Sequence, residues 1–186
     1  MNEIRVVPLA CSRCGADLLG RSVDRLAFCI PCGAAYRVDT PTIEAIRVVT
    51  IEDDPTSEGS LLHLPFWKID DLLVPAFISP RPLTLARIAS SISETRSTHE
   101  MMKSPVPLGA RLAPENLAPI VGMLKNRAVE NDEAQRSGSG LLFSIPARAQ
   151  DRRFRLPGTD FALYPQDVID SDGLLRFSRD GVGVGT

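Results

Sequence analysis

The chain has 186 residues, a formal net charge of −2 and a hydrophobic fraction of 44%, so it is long enough and apolar enough to bury a core. Its charge lacks the strong basic excess that a free-standing nucleic-acid-binding protein usually carries. Because the sequence has no run of about 18 apolar residues, we predict that no helix spans a membrane.

The first eleven residues, MNEIRVVPLAC, place a small residue before a cysteine, as lipoproteins do. Glu3, however, stands where a signal peptide is usually basic, and the apolar stretch from Val6 to Ala10 is too short for the hydrophobic region of a signal peptide. We therefore expect a cytoplasmic protein whose thiols are reduced.

All four cysteines of the chain lie in two pairs of identical spacing: Cys11 and Cys14, Cys29 and Cys32. Two intervening residues let both sulfurs of a pair face one point. Gly15 and Gly33, which follow the two pairs, supply the permissive backbone that such a turn needs. We predict that the four thiolates bind one structural Zn²⁺, which Phe28 and Tyr36 cover.

Other states of the four thiols fit the same spacing. Iron in place of zinc would make a one-electron carrier with the same geometry. Two disulfides would require secretion, and a dithiol redox pair would require a thioredoxin-like context; the sequence indicates neither. Since about 40 residues bury too little surface to fold alone, we expect the metal to supply folding free energy.

The segment CSRCGADL…FCIPCGAAY, residues 11–36, resembles a zinc ribbon of the rubredoxin-like, double-knuckle kind. With its flanks, the resemblance covers about a fifth of the chain and implies that the four cysteines are the metal ligands. The stretch LPFWKI…VPAF is similar to the segment after the ribbon in some bacterial proteins of unassigned function. The resemblance identifies a metal site and leaves the function open.

The chain after the cysteines begins with a strand and a hairpin. IEAIRVVTI, residues 43–51, is rich in β-branched residues and predicts a strand. Residues 61–78 predict two strands about a turn at Asp70 and Asp71. Pro65 and Pro75 each lack a backbone donor, so these strands should lie at a sheet edge or carry bulges.

Two helices and a second hairpin come next in the chain. The first helix has one apolar face, with Thr84 as its cap, and the second begins near Asn116, with Pro119 in its first turn. Between the two helices we predict a long connection. After a solvated break at 130–140, residues 141–169 predict strand, turn and strand.

These elements predict an α+β fold, in which a small zinc ribbon precedes an α+β domain with two β-hairpins and two helices. The predicted parts are the zinc ribbon and following strand (1–51), an acidic linker or loop (52–60), the α+β domain (61–176) and a flexible tail (177–186).

Few other residues are candidates for chemistry. His63 lies in an apolar strand pattern and His99 in a polar connection, and neither has a suitably spaced acid or cysteine, so we predict structural or surface roles. The phosphate-loop, dinucleotide and hydrolase motifs are absent from the sequence. We therefore predict that the protein is not an enzyme.

Two further groups could make contacts with partners. A basic group in the second hairpin could bind an anion or nucleic acid; its members are Arg148, Arg152, Arg153 and Arg155. A solvated turn is the favoured interpretation, because Asp151 interrupts the run and aromatic residues for base stacking are scarce. Phe66 and Trp67 adjoin each other in a predicted strand, where neighbours face opposite sides. One of these two rings could therefore be exposed at a protein interface, or both could be buried between the ribbon and the second domain.

The favoured hypothesis is a non-catalytic zinc-binding interaction or adaptor subunit of a larger assembly, with a protein partner that the sequence does not identify. The first alternative is a nucleic-acid-associated or transcription-related protein, because ribbons often serve there. The second alternative is a rubredoxin-like iron protein that carries electrons.

Overall fold

A computed structural model describes residues 9–20, 24–39, 42–53, 59–100, 107, 109–126, 140–150, 153–164 and 167–168. Within these ranges the fold is α+β, as predicted. The strands are β1 (Leu26–Phe28), β2 (Ala35–Asp39), β3 (Thr42–Ile51), β4 (Ser60–Ile69), β5 (Leu72–Pro75), β6 (Thr98–Glu100), β7 (Leu141–Gln150), β8 (Arg153–Arg155) and β9 (Ala162–Leu163). The helices are α1 (Pro82–Thr95) and α2 (Ala118–Lys125), the latter preceded by a 3-10 turn at Pro114–Leu117. The predicted tail lies outside the described residues.

The nine described strands form one sheet, whose main path runs β1-β2-β3-β7-β4-β5. Strands β3 and β7 pair in parallel, and the other neighbours on this path are antiparallel. Strand β6 adds to β3, while β8 links β7 to β9. The two predicted hairpins are present as β4–β5 and β7–β8.

Strand β3 belongs to both parts of the chain. Its first half pairs with β2 from Thr42 to Ile46, and its second half pairs with β7 from Arg47 to Thr50. The exposure of the side chains changes at the same point: those of the first half are mostly exposed, and those of the second half are mostly buried. The cysteine-bearing part, which we call the cysteine module (residues 9–39), is thus continuous with the main sheet. Whether it unfolds separately stays a prediction.

Pro65 lies within β4, which has a neighbour on each side, so the prediction of an edge position is wrong for this residue. The carbonyl of Pro65 accepts a hydrogen bond of 3.0 Å from the Ala76 amide, on the β5 side. A strand residue directs its N–H and C=O to the same side, so the missing donor also faces β5. No hydrogen bond between β4 and β7 is lost. Pro75 does lie in an edge strand, β5.

The helix ends differ in detail from the prediction. Helix α1 begins at Pro82 after Arg81, whose side chain makes no cap, and Thr84 lies inside the helix instead of capping it. Helix α2 begins at Ala118 with Pro119 in its first turn, as predicted, whereas Asn116 belongs to the preceding 3-10 turn. Among the described residues, no helix is both long and apolar enough to cross a membrane.

Two hydrophobic clusters cover the opposite faces of the main sheet. The first contains Phe66 and residues of α1, and the second contains Trp67 and residues of α2. Phe66 meets Phe77 edge to face with ring centroids 5.5 Å apart, and the Trp67 indole donates to the Leu112 carbonyl at 2.8 Å. Both rings have 0% exposure, so the expectation that one lies at the surface is wrong. The two rings lie on opposite faces of the pleated sheet, but a hydrophobic cluster covers each face and buries the ring there.

Candidate metal centre

The cysteine module contains the same turn twice. The first turn is closed by hydrogen bonds from Gly15 N to Cys11 O and from Cys11 N to Ala16 O, both 2.8 Å. The second turn has the same two hydrogen bonds 18 residues further along the chain: Gly33 N donates to Cys29 O, and Cys29 N donates to Ala34 O, again at 2.8 Å. Antiparallel bridges flank both turns at the same offset: Ala10↔Asp17 and Phe28↔Ala35.

The two glycines are required by the backbone of these turns. Gly15 has a φ of 76° and Gly33 a φ of 73°, in the left-handed region that other residues rarely adopt. A Cβ atom at Gly15 would meet nothing within 4 Å, so the requirement there is conformational and not steric. The glycines predicted from the sequence therefore set the direction in which each turn presents its sulfurs.

The two turns bring the four predicted ligand residues into one cluster. All four sulfur atoms lie within 4.8 Å of one another, with Cys14 and Cys29 at 3.3 Å and Cys11 and Cys32 at 3.5 Å. A tetrahedral zinc site with bonds of about 2.3 Å places its sulfurs about 3.8 Å apart. The cluster could therefore hold one metal ion. The residues form no disulfides.

The cluster is closed on one side and open on the other. Cys11 and Cys29 are buried and pack with Tyr36, whereas Cys14 is exposed. The Tyr36 hydroxyl lies 3.1 Å from the Cys11 sulfur and 3.1 Å from the Ser12 hydroxyl. Tyr36 therefore covers the site, as predicted, and also fixes one of its sulfurs. The contact with Ser12 has no signal in the sequence, because it depends on how the first turn meets β2.

Hydrogen bonds and burial act differently on the two buried thiols. Burial raises the pKa of Cys11, but hydrogen bonds from the Tyr36 hydroxyl and from the amides of Arg13 and Cys14 outweigh it and lower the pKa to about 6. Burial raises the pKa of Cys29 to about 12; hydrogen bonds with the other three thiols add to the rise, and the amide of Cys32 opposes it. Four thiolates this close repel one another, so a bound dication is what would stabilise all four in ionised form.

Phe28 does not cover the metal site, contrary to prediction. It belongs to the second hydrophobic cluster, together with Trp67. Because Phe28 precedes Cys29 in a strand, its side chain faces away from the side to which the cysteine directs its sulfur. Phe28 therefore links the cysteine module to the main sheet. The link is reinforced by the Arg25 amide, which donates to the Ala110 carbonyl at 2.6 Å.

The structure places the two histidines apart from the cysteines. His63 is buried, and its Nδ1 lies 2.6 Å from the Ser144 hydroxyl. Burial lowers the pKa of His63 to about 4. The smaller effect of Asp53 raises this pKa, and that of Arg148 lowers it. His99 is exposed on β6, a strand within the long connection predicted between the two helices. The buried, hydrogen-bonded state of His63 fits the structural role predicted for it.

Three members of the basic group lie on one face of the second hairpin, because Arg148 is the cross-strand partner of Arg155 and Arg153 is two residues away on the same strand. Arg148 forms an ion pair with Asp53, and Arg153 lies over the ring of Tyr164 at 5.5 Å. Arg155 is exposed on the same strand as Arg153. Arg152 lies outside the described residues.

Comparison with known proteins finds no matching family model, no similar curated protein and no similar solved structure. The likeness to a zinc ribbon therefore depends on the four cysteines and their geometry.

Proposed function

We propose that the protein binds one Zn²⁺ through its four cysteines and that the metal has a structural role. The observation that supports this is the cluster of four sulfurs within 4.8 Å on two matched turns. Two such turns orient four thiolates toward one point. Thiolates prefer zinc among the divalent metals that lack redox chemistry.

We propose further that the protein is not a catalyst at this site. Catalytic zinc has three protein ligands and an open position for water, whereas four thiolates complete a tetrahedron. A closed site of this kind stabilises a fold and positions its surface. Strand β3 pairs with β2 of the cysteine module and with β7 of the main sheet, so the metal would stabilise that end of the sheet.

The proposed role is an interaction or adaptor subunit that contacts a protein partner. Phe66 and Trp67 are buried, so the contact surface must lie elsewhere. The tip of the second turn is apolar and open to solvent, with Ile30 at 46% exposure and Pro31 also exposed. Apolar side chains that the metal holds at a turn are suited to a partner's pocket, because little conformational freedom is lost on binding.

Affinity isolation from the native cell tests the adaptor role. Ile30→Asp should abolish recovery of the partner, while Met123→Asp should leave it intact. Met123 is a matched control, because it is 61% exposed and lies on α2 instead of the cysteine module. Equal recovery with both variants would contradict a contact at the second turn. Zinc content is measured in both variants to verify that the site is intact.

Iron in the same site would make the protein an electron carrier. The observation that favours this alternative is the exposure of Cys14, which brings one ligand to the surface where a redox partner could approach. Protein purified without added metal separates the two, because ferric tetrathiolate absorbs visible light and zinc does not. A colourless protein with stoichiometric zinc excludes the electron-carrier role.

A nucleic-acid role would depend on Arg153 and Arg155, which are both exposed, Arg153 over the ring of Tyr164. The ion pair between Arg148 and Asp53 reduces the positive charge available there. If this surface bound a phosphate backbone, affinity for mixed-sequence nucleic acid would fall steeply with salt, and Arg155→Ala would reduce that dependence. The adaptor role predicts no such salt-dependent binding.

A further inference from the structure

A cleft of about 330 Å³ lies between the cysteine module and the exposed edge of β3. One wall is the tip of the first cysteine turn, with Ser12 and Arg13, and another is formed by Gly33 to Tyr36 at the start of β2. The far side is formed by Arg47 and Val48 of β3 together with Glu100 of β6. Its volume is at the lower end of the range of small-molecule sites.

Among the described residues, the outer edge of β3 has a gap at this cleft. Pairing with β2 ends at Ile46, and pairing with β6 begins at Val49. The Arg47 amide donates to the Gly140 carbonyl at 2.7 Å, on the β7 side. Alternation along the strand therefore directs the Val48 N–H toward the gap. Within the described strands, Arg47 and Val48 are left without a partner on this edge, a stretch too short for an added peptide strand but suited to a small polar group.

The side chains around the gap favour a negatively charged group. Arg13 and Arg47 both line the cleft and are exposed, and Arg13 makes no ion pair with any described residue. Guanidinium groups bind carboxylates and phosphates through directed, charge-assisted hydrogen bonds. Two such groups around one cleft supply several of the donors that an oxyanion needs.

The carboxylate of Glu100 lies where the charged group of a ligand would bind Arg47. This carboxylate lies 2.9 Å from Nη2 of Arg47, and the two side chains are 65% and 69% exposed. An ion pair so exposed is weak and easily displaced. A ligand that contacted both arginines would replace Glu100 at Arg47, because it would gain Arg13 in addition.

We infer that this cleft binds a small ligand bearing an oxyanion, either a carboxylate or a phosphate, between Arg13 and Arg47, with Glu100 competing for Arg47. The site is separate from the metal cluster and does not depend on which metal the cysteines bind. The two are nevertheless adjacent, since Ser12 hydrogen bonds to Tyr36, which contacts Cys11.

The test uses the full-length, as-purified chain labelled with ¹⁵N. Three probes are titrated: N-acetyl-triglycine with a free carboxyl end, the same peptide as its amide, and inorganic phosphate. Amide shifts are followed at Gly33, Ala34 and Val48, around the cleft. We expect saturable shifts with one or both anions and none with the amide. The peptide arm identifies a carboxylate ligand, and the phosphate arm identifies a phosphate ligand.

Variants decide whether the cleft is responsible. Arg13→Ala and Arg47→Ala should each weaken binding about tenfold or more, as loss of a charged hydrogen bond does. Glu100→Gln should tighten it about two- to fivefold, because the competing pair is exposed. Arg87→Ala is the matched control, since Arg87 is exposed on α1 away from the cleft.

Several outcomes would overturn the inference. Equal binding of the amide and the acid would show that charge is not recognised. Equal affinity in Arg13→Ala, Arg47→Ala and Arg87→Ala would place any anion elsewhere. Weaker binding in Glu100→Gln would contradict the competition at Arg47. Unchanged zinc content in every variant verifies that the fold is intact, and the gain expected for Glu100→Gln cannot arise from misfolding.

Discussion

The hydroxyl of Tyr36 lies 3.1 Å from the sulfur of Cys11. This contact raises the pKa of Tyr36, so the hydroxyl keeps its proton and can donate it to the sulfur. A ligand held by a second hydrogen bond is fixed in orientation, and such outer contacts contribute substantially to metal affinity. Tyr36 is therefore the residue outside the four cysteines on which the proposed metal centre most depends.

Tyr36→Phe tests this contact. The ring and its packing remain, while the donor to Cys11 is lost, so zinc affinity should fall about tenfold to a hundredfold. Competition with a coloured chelator measures the change. Ser12→Ala is the control. It removes a contact of the Tyr36 hydroxyl and leaves the donor to Cys11 in place, so zinc affinity should fall less than in Tyr36→Phe. Unaltered affinity in Tyr36→Phe would show that the hydroxyl does not support the ligand.

Cys29→Ser tests how far the metal's influence extends. Loss of a buried ligand should release the metal and remove several kcal/mol of folding free energy from the cysteine module. In hydrogen exchange, amides of the cysteine module should lose protection while those of β4 and β7 keep most of theirs. Chelation of zinc from the unaltered protein is the control and should give the same pattern.

Uniform loss of protection in Cys29→Ser would instead show one cooperative unit. The structure provides a route for such coupling, since Phe28 and Trp67 belong to one cluster and β3 is shared. Trp67 is the only tryptophan, so its fluorescence reports on that cluster directly. A shift of its emission on metal removal, with β4 and β7 still protected, would limit the coupling to the second cluster.

Local signals in the sequence predict much of this molecule. The repeated Cys-x-x-Cys-Gly pattern predicts both turns, because the spacing and the left-handed glycines are properties of each turn alone. Asp70 takes a φ of 55° in the β4–β5 hairpin, and acidic residues tolerate that conformation, so the position of this turn was predictable. Pro119 similarly marks the first turn of α2.

The features that the sequence does not predict depend on partners distant in the chain. The parallel pairing of β3 with β7 joins residues roughly ninety positions apart, such as Thr50 and Ser144. The similarly distant pairing of β4 with β7 makes β4 a central strand, and layers on both faces of the sheet bury Phe66 and Trp67. An alternating pattern indicates two faces, but it does not reveal that a helix covers each one.

His63 should make the protein sensitive to acid. Burial holds its pKa at about 4, whereas an unfolded histidine protonates near about 6.5. Between these values the unfolded chain binds more protons, so stability falls as the pH drops from about 6.5 to about 4, by about 3 kcal/mol at most. Asp53 opposes this shift, while Arg148 and His99 add to it.

The histidine contribution is isolated with His63→Gln, whose amide can still bond to Ser144. Urea unfolding at pH 7 and pH 4.5 should show a smaller acid-induced loss of stability than in the unaltered protein. His99→Gln, at an exposed position, removes only the smallest contribution to the shift and should keep most of the loss. If His63→Gln lost as much stability on acidification as the unaltered protein, the buried histidine would not be the cause.

Asp167 is expected to hold the end of the described chain against α1. Its buried carboxylate pairs with both Nε and Nη2 of Arg81 and accepts the Tyr164 amide at 2.7 Å. Asp167→Asn should lower the free energy of unfolding by about 2 kcal/mol, as lost hydrogen bonds to a charged group do. Glu100→Gln breaks an exposed pair and should cost less than about 1 kcal/mol. A similar loss of unfolding free energy in Asp167→Asn and Glu100→Gln would show that burial does not strengthen the pair of Asp167 with Arg81.

The most direct test of the central claim is the metal content of the protein purified without added metal. Elemental analysis together with thiol titration should give about one zinc per chain, with no free thiols until the protein is unfolded or the metal chelated. Iron at that stoichiometry would replace the structural role with electron transfer. Absence of metal, with the thiols oxidised in pairs, would contradict a metal centre at Cys11, Cys14, Cys29 and Cys32.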